Sequence, residues 1–339
     1  MGDGNDGAAA GDSGYGLLNL LLCLHIHRSG GFIQNDDGGL SQNGPGDGNT
    51  LLLAAGKAKS TLTNLGIIAI RHSPFLMASI LYDDCIARGL PIFDGGCQQL
   101  GGTLEVYGCT NTADSLTAIK KLVYEEKKIS PEALQEMLNN NFEGSPLEHK
   151  LLKDAPKYGN DLEEADTMLN RVHEHVCLHT MAQAERVGLD SYLVVVINNS
   201  ANSTLGLITG ASPDGRCVFQ PMANANNPSG GCDKNGLTAM LNSLLKMKTD
   251  IHAGAVQNIK FSREMFNEKF PQTRMILDTY FENGGAQLMI NVLGREDLEN
   301  ALKEPEKYQN LIVRVGGFCA RFVELASEVQ QEILSRTMY

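Results

Sequence analysis

The chain has 339 residues, 42% of them hydrophobic and 20% charged, enough apolar material for one large domain or two ordinary ones. A net charge of −12 without any Lys/Arg cluster excludes a protein built to grip a phosphate backbone, so no nucleic-acid partner is expected. The longest apolar run, residues 17–24, is too short to cross a bilayer and has no basic flank, so a soluble, cytoplasmic protein with no membrane partner is expected.

In chain order, residues 1–60 are a Gly/Asp/Asn-rich lead of turns around one short apolar segment. "SPFLMASILYDDCIARG" reads as one helix, with Ser73 as its cap, Pro74 in its first turn and Gly89 ending it. A glycine-rich stretch (93–111) precedes helical periodicity over 112–128, and "SPEALQEMLNNNF" (130–142) opens with another Ser-Pro start. Residues 161–188 form a long helix with acidic groups in its first turn, which favours the dipole. "SYLVVVI" (191–197) is the clearest buried strand.

Beyond it, "LITGASPDGR" (207–216) reads as a strand entering a turn, and 223–236 as a polar loop. A helix at 237–248, a strand at 255–262, a helix at 270–284 and a strand at 286–293 follow, then the helix "REDLENALKEP". "NLIVRVGGF" is a strand leading into two glycines, and "SEVQQEILSRTM" a last helix. Strands alternating with helices define an α/β protein.

Eight cysteines are spread along the chain with no CxxC pair, so neither a zinc ribbon nor a thioredoxin-type site is expected, and the thiols are read as reduced. "HEHVCLH" (173–179) puts His175 and His179 on one helical face with Cys177 elsewhere, too few converging ligands for zinc. "CLHIH" (23–27) has ligands at strand spacing but no further partner. "GASPDGRC" and "NNPSGGCDKNG" lack the order of a phosphate loop. Lys120 and Lys121 with Glu125 and Glu126 read as an exposed charged face.

The double glycine carries the chemistry. Taken alone, "VRVGGF" is a strand end turning toward a helix. In context, "LIVRVGGFCARFVELASEVQQEILSRT" resembles the C-terminal signature of the glycyl radical enzymes, with Arg314, Val315, Gly316, Gly317 and Phe318 filling its places in order. "PFLMASILYDDCIARG", "NTADSLTAIKKLVYEEKKIS", "APKYGNDLEEAD", "TGASPDGR" and "NPSGGCDKNGLTAMLNS" resemble further family segments in the family's order, so the resemblance covers roughly residues 68–339. It leans toward the dehydratase and decarboxylase branches. The residue before the radical glycine is commonly Ser, Ala or Cys, whereas here it is Gly316.

That resemblance implies the second half of a ten-stranded β/α barrel with a C-terminal radical-loop domain: an irregular lead over 1–60, a formate-lyase-like portion over 61–210 and a glycine radical domain over 211–339. It implies a radical on Gly317, with Arg314, Gly316 and Phe318 supporting the loop. No bound cofactor or metal is expected; an S-adenosylmethionine-dependent activase of the radical class installs the radical, which generates a cysteine thiyl that cleaves C–C or C–X bonds of a small molecule. The thiyl loop has no counterpart here: Cys23 has no neighbouring Glu, Cys97 and Cys109 fall in a later part of the family pattern, and Cys319 is expected to pack beside the radical loop. A second chain would then supply the cysteine to a homo-oligomeric enzyme. The alternative is a non-catalytic radical-domain protein, or a truncated fragment that docks on a partner.

Overall fold

The computed structural model describes residues 75–197 and 199–339. The chain divides into two units, Met1–Pro74 and Phe75–Tyr339, and the second is the one described. The irregular lead, Cys23, the His pair at 25–27 and the Ser73–Pro74 helix start all lie outside the described residues.

The expected first helix is two, α1 (Leu76–Ser79) and α2 (Asp83–Arg88). Tyr82 between them is extended, and Asp83 and Asp84 restart the helix where negative charge suits its N-terminus. Gly89 ends α2 in the left-handed region (φ +65°), as its position foretold. A wide turn, Ile92–Gly96, leads into strand β1 (Gly101–Glu105), which the glycine-rich reading of this stretch missed.

Helix α3 (Cys109–Ala118) widens into a π-type coil to Glu125, α4 (Pro131–Asn139) is capped by Ser130 Oγ accepting the Ala133 N–H at 3.1 Å, and α5 (Pro146–Asp154) follows. The long helix α6 (Glu163–Met181) returns the chain to β2 (Ser191–Val196), which pairs parallel with β1 from Gly101 opposite Ser191 to Glu105 opposite Val195.

Residues 207–208, expected in a strand, close helix α7 (Ala201–Ile208) instead. Tertiary contacts override the β-branched pattern: Asn202 is fully buried and exchanges hydrogen bonds with the Met222 backbone, donating from Nδ2 at 3.2 Å while its carbonyl accepts the Met222 N–H at 3.1 Å. After α8 (Leu237–Leu245), one line of chain makes two short strands. β3 (Gly254–Ala255) pairs parallel with β2, and β4 (Asn258–Phe261) pairs parallel with β5 (Met289–Val292). Between β4 and β5 run α9 (Arg263–Asn267) and α10 (Phe270–Glu282); α11 (Arg295–Lys303) follows β5. Parallel strands joined through helices give the α/β character expected, with the ladder shifting partners at Val256–Gln257.

One core lies where α3, α6, α8, β4 and α10 meet, around Leu169, Met240, Ile259 and Phe261; a second lies among α3, α4 and α5. The third lies under the last hairpin, β6 (Ile312–Arg314) with β7 (Cys319–Arg321), and the closing helix α12 (Ser327–Ser335). Val313, Val315, Phe322 and Ile333 are all but fully buried there, each worth about 1.5–3 kcal/mol of burial. Among the described residues no helix is long and apolar enough to cross a membrane.

Candidate active site

The double glycine is the tip of a β-hairpin. β6 and β7 are antiparallel, pairing Ile312 with Arg321, Val313 with Ala320 and Arg314 with Cys319. The Val315 N–H then donates to the Phe318 carbonyl at 2.9 Å, leaving Gly316 and Gly317 as the two residues of the turn.

The two glycines are small for different reasons. Gly316 is buried, and a Cβ there would run into the backbone of Asn199, overlapping its carbonyl oxygen and lying 3.1 Å from its carbonyl carbon. Gly317 is exposed and has φ +99°, which side-chain-bearing residues rarely adopt. Space is not its constraint: a Cβ there would have Asn199 Oδ1 at 3.6 Å and Ile197 Cγ2 at 4.0 Å, and no sulfur of the described residues as near, its chain neighbours aside. The Gly317 α-carbon is thus open at the end of a fixed support.

That support is polar as well as apolar. Asn291 on β5 accepts the Arg314 N–H at 2.7 Å and donates to the Arg314 carbonyl at 3.2 Å, acting like one more strand residue. Arg336, just past α12, donates to the Arg314 carbonyl at 3.0 Å and the Val315 carbonyl at 2.7 Å. Its guanidinium is itself held by Glu332 in a two-pronged ion pair, both side chains less than a tenth exposed.

The tail after Arg336 is fastened in turn. Thr337 and Tyr339 both donate to the Asp233 carboxylate, and the Tyr339 backbone exchanges hydrogen bonds with the β4 end through the Lys260 carbonyl and the Ser262 N–H. Lys260, which burial lowers to about 8, donates to the carbonyls of Ile333 and Leu334 at the C-terminal end of α12.

Each expected residue therefore has a definite place. Gly316 and Gly317 meet at the tip. Arg314 serves through its backbone, while its side chain is exposed; Phe318 is 41% exposed beside the tip. Asn199, Asn291, Glu332 and Arg336 were missed. Arg336 had a signal, the "SRT" of the closing segment; the others lie 11 or more residues from the hairpin with nothing local to mark them.

The thiols divide similarly. Burial pushes Cys109 up to about 12, and Cys177 and Cys232 up to about 11, which keeps them protonated and inert. Cys319, expected to pack beside the loop, lies opposite Arg314 in the hairpin with its side chain exposed. In the histidine-rich helix, His175 and His179 stack with centroids 6.1 Å apart. Cys177 instead faces His173, whose Nε2 meets His252 Nδ1 at 2.9 Å. Among the described residues no three such side chains converge as metal ligands.

Two family models match the chain, "Pyruvate formate lyase-like" over 60–206 and "Glycine radical" over 222–323, the second containing the hairpin. The probable dehydratase YbiW of Escherichia coli is 35% identical over 274 residues, covering 77% of this chain and 34% of its own length. Trans-4-hydroxy-L-proline dehydratase of Clostridioides difficile is 32% identical, covering 80% of this chain and 34% of its own. The glycerol-bound B12-independent glycerol dehydratase of Clostridium butyricum superposes with a TM-score of 0.81 at 32% identity, over 94% of this chain and 42% of that one. With both models and these relatives in agreement, the chain belongs to the glycyl radical enzymes and has the fold of their barrel together with their glycine radical domain. It spans about a third of the length of the curated relatives it matches.

Proposed function

We propose that Gly317 stores a backbone radical, with Arg314, Gly316 and Phe318 supporting its loop, in an enzyme that cleaves a C–X or C–C bond of a small molecule. The observation that carries this reading is the hairpin itself: an open α-carbon with no side chain, on a base fixed by Asn291 and Arg336. Loss of one α-hydrogen leaves an unpaired electron that the neighbouring amide nitrogen and carbonyl share. Sharing requires a planar carbon, which a Cβ would obstruct.

An activase of the radical S-adenosylmethionine class removes that hydrogen atom. The glycyl radical then takes a hydrogen atom from a cysteine thiol, and the resulting thiyl takes one from the substrate, whose C–X or C–C bond breaks. The relatives named as dehydratases, a sulfite-lyase and a decarboxylase support this reaction class. The partner cysteine is supplied by a second chain, since no cysteine of this sequence lies in a loop of the thiyl type. A cytoplasmic homo-oligomer that binds no cofactor of its own completes the reading, with domains at 61–210 and 211–339.

The exposure of Gly317 and Phe318 favours a second reading, a radical domain that docks on a partner without catalysing by itself. Anaerobic incubation with the activase and S-adenosylmethionine tests both. A doublet electron paramagnetic resonance signal, split by the remaining α-hydrogen and collapsed in protein labelled with α-deuterated glycine, is expected. No doublet with an activase proven on its own substrate overturns the proposal. Turnover by this chain alone removes the docking reading; a stable radical with turnover only after a cysteine-bearing chain is added supports it.

A further inference from the structure

Away from the hairpin, two thiols face each other across a tight turn. Cys85 lies on α2, 3% exposed; Cys97 ends the wide turn Ile92–Gly96 and is half-buried. A Cβ placed on Gly96 would lie 2.7 Å from Cys85 Sγ, so the Cys85 thiol packs on the residue directly before Cys97, and the two thiols are near enough that Cys97 helps raise the Cys85 thiol. The approach is held from both sides. The Leu90 N–H donates to the Cys85 carbonyl at 3.2 Å and the Gly96 N–H to the Pro91 carbonyl at 3.0 Å. Arg88 donates to the Gly95 carbonyl at 3.2 Å, and the Ile92 N–H to Ser79 Oγ at 3.0 Å. Gly95 at φ +84° lets the turn close.

We propose that Cys85 and Cys97 form a redox-modification site, a dithiol that a low-molecular-weight disulfide of the glutathione class converts to an intramolecular disulfide. Access orders the steps. Burial raises the Cys85 thiol, so the more exposed Cys97 reacts first: its thiolate attacks one sulfur of the small disulfide, forming a mixed disulfide and releasing one glutathione thiolate. Cys85 then loses its proton to solvent, its sulfur attacks Cys97 Sγ, and the second glutathione leaves. Two protein thiols are oxidised and one small disulfide is reduced to two thiols. The bond ties α2 to the lead-in of β1, the strand paired with β2, after which Ile197 and Asn199 reach the glycine hairpin. The site does not depend on the radical reading.

The test uses the purified full chain, incubated anaerobically with glutathione disulfide, alkylated with N-ethylmaleimide and digested with trypsin without reductant. Cleavage after Arg88 separates the two cysteines, so the bond appears as two joined peptides that reduction splits. Loss of nearly all maleimide labelling at both positions is expected, and in Cys85→Ser a mixed glutathione disulfide should accumulate at Cys97. Persistence of that mixed disulfide in the unsubstituted chain, or full labelling of Cys85 and Cys97 while exposed Cys319 is glutathionylated, overturns the proposal.

Discussion

The hairpin at 314–319 and the loop at 210–216 are both glycine-bearing turns, and they are built in opposite ways. In the loop, the polar side chains bond to the chain around them. Arg216 donates to the carbonyls of Gly206, Thr209, Gly210, Cys217 and Gln220. Asp214 accepts from Asn111 at 2.7 Å and Ser212 at 2.6 Å while its own N–H donates to Ser115. In the hairpin the side chains of Arg314 and Phe318 point to solvent, and what is left free is a backbone carbon. A loop that satisfies its own charges holds itself; a loop fastened at its base and bare at its tip leaves that tip accessible.

The largest expected effect separates the two directly. Gly317→Ala should abolish the radical doublet completely while costing only about 1–2 kcal/mol for a side chain at positive φ. Air exposure of the activated chain should cut it at residue 317 and release a peptide of 22 residues, 318–339, visible by mass spectrometry. An intact chain that had carried a confirmed radical would overturn the assignment. Arg216→Met should do the reverse. Five carbonyls lose their donor, a loss of roughly 3–4 kcal/mol in urea denaturation, with unchanged doublet intensity per folded molecule.

Between these extremes lie the residues that hold the hairpin. Arg336→Lys keeps a charge for Glu332 but cannot reach two carbonyls with a planar fork, so about 1–2 kcal/mol should be lost. Amide exchange at Arg314 and Val315 should quicken while exchange in α6 stays as it was; equal acceleration in both would mean Arg336 supports the whole domain. Gly316→Ala sharpens the contrast within the tip. Its Cβ would press on the Asn199 backbone, costing about 1–3 kcal/mol, yet the doublet should survive. A doublet lost in Gly316→Ala and kept in Gly317→Ala would move the radical by one residue.

How much of this was legible follows from distance along the chain. The glycine pair, the Ser130 cap and the Gly89 stop are local signals, each set by a few neighbouring residues, and each could be read. β1 was hidden because "GGTLE" begins with two glycines and takes its strand form from the β2 ladder. α7 was misread because "LIT" before a glycine looks like a strand end until Asn202 finds the Met222 backbone. The hairpin's anchors were invisible for the same reason: Asn291 is 23 residues from Arg314, and Asp233 is 104 from Thr337. Only a family pattern, not periodicity, pointed toward the segment that carries Arg336.

The smallest effect at neutral pH should come from His173, which is 2% exposed in α6 and meets His252, with Glu174 a lesser, opposing influence. Its Nδ1 has no partner, which favours the tautomer whose Nε2–H donates to His252 Nδ1, because an orphaned acceptor costs less than an orphaned donor. Burial first, and the neighbouring His252 second, lower its pKa from 6.5 to about 4. Between those values the unfolded chain holds a proton that the folded chain refuses, so this group's contribution is complete above pH 6.5 and is lost as pH falls toward 4. The slope it adds is at most about 1.4 kcal/mol per pH unit. His173→Gln keeps a donor toward His252 but cannot titrate, so its urea midpoint should vary less with pH across that window, whereas Gly316→Ala and Arg336→Lys should shift the midpoint without changing the slope. An unchanged slope in His173→Gln would show that the histidine takes up its proton in the folded chain as readily as in the unfolded one.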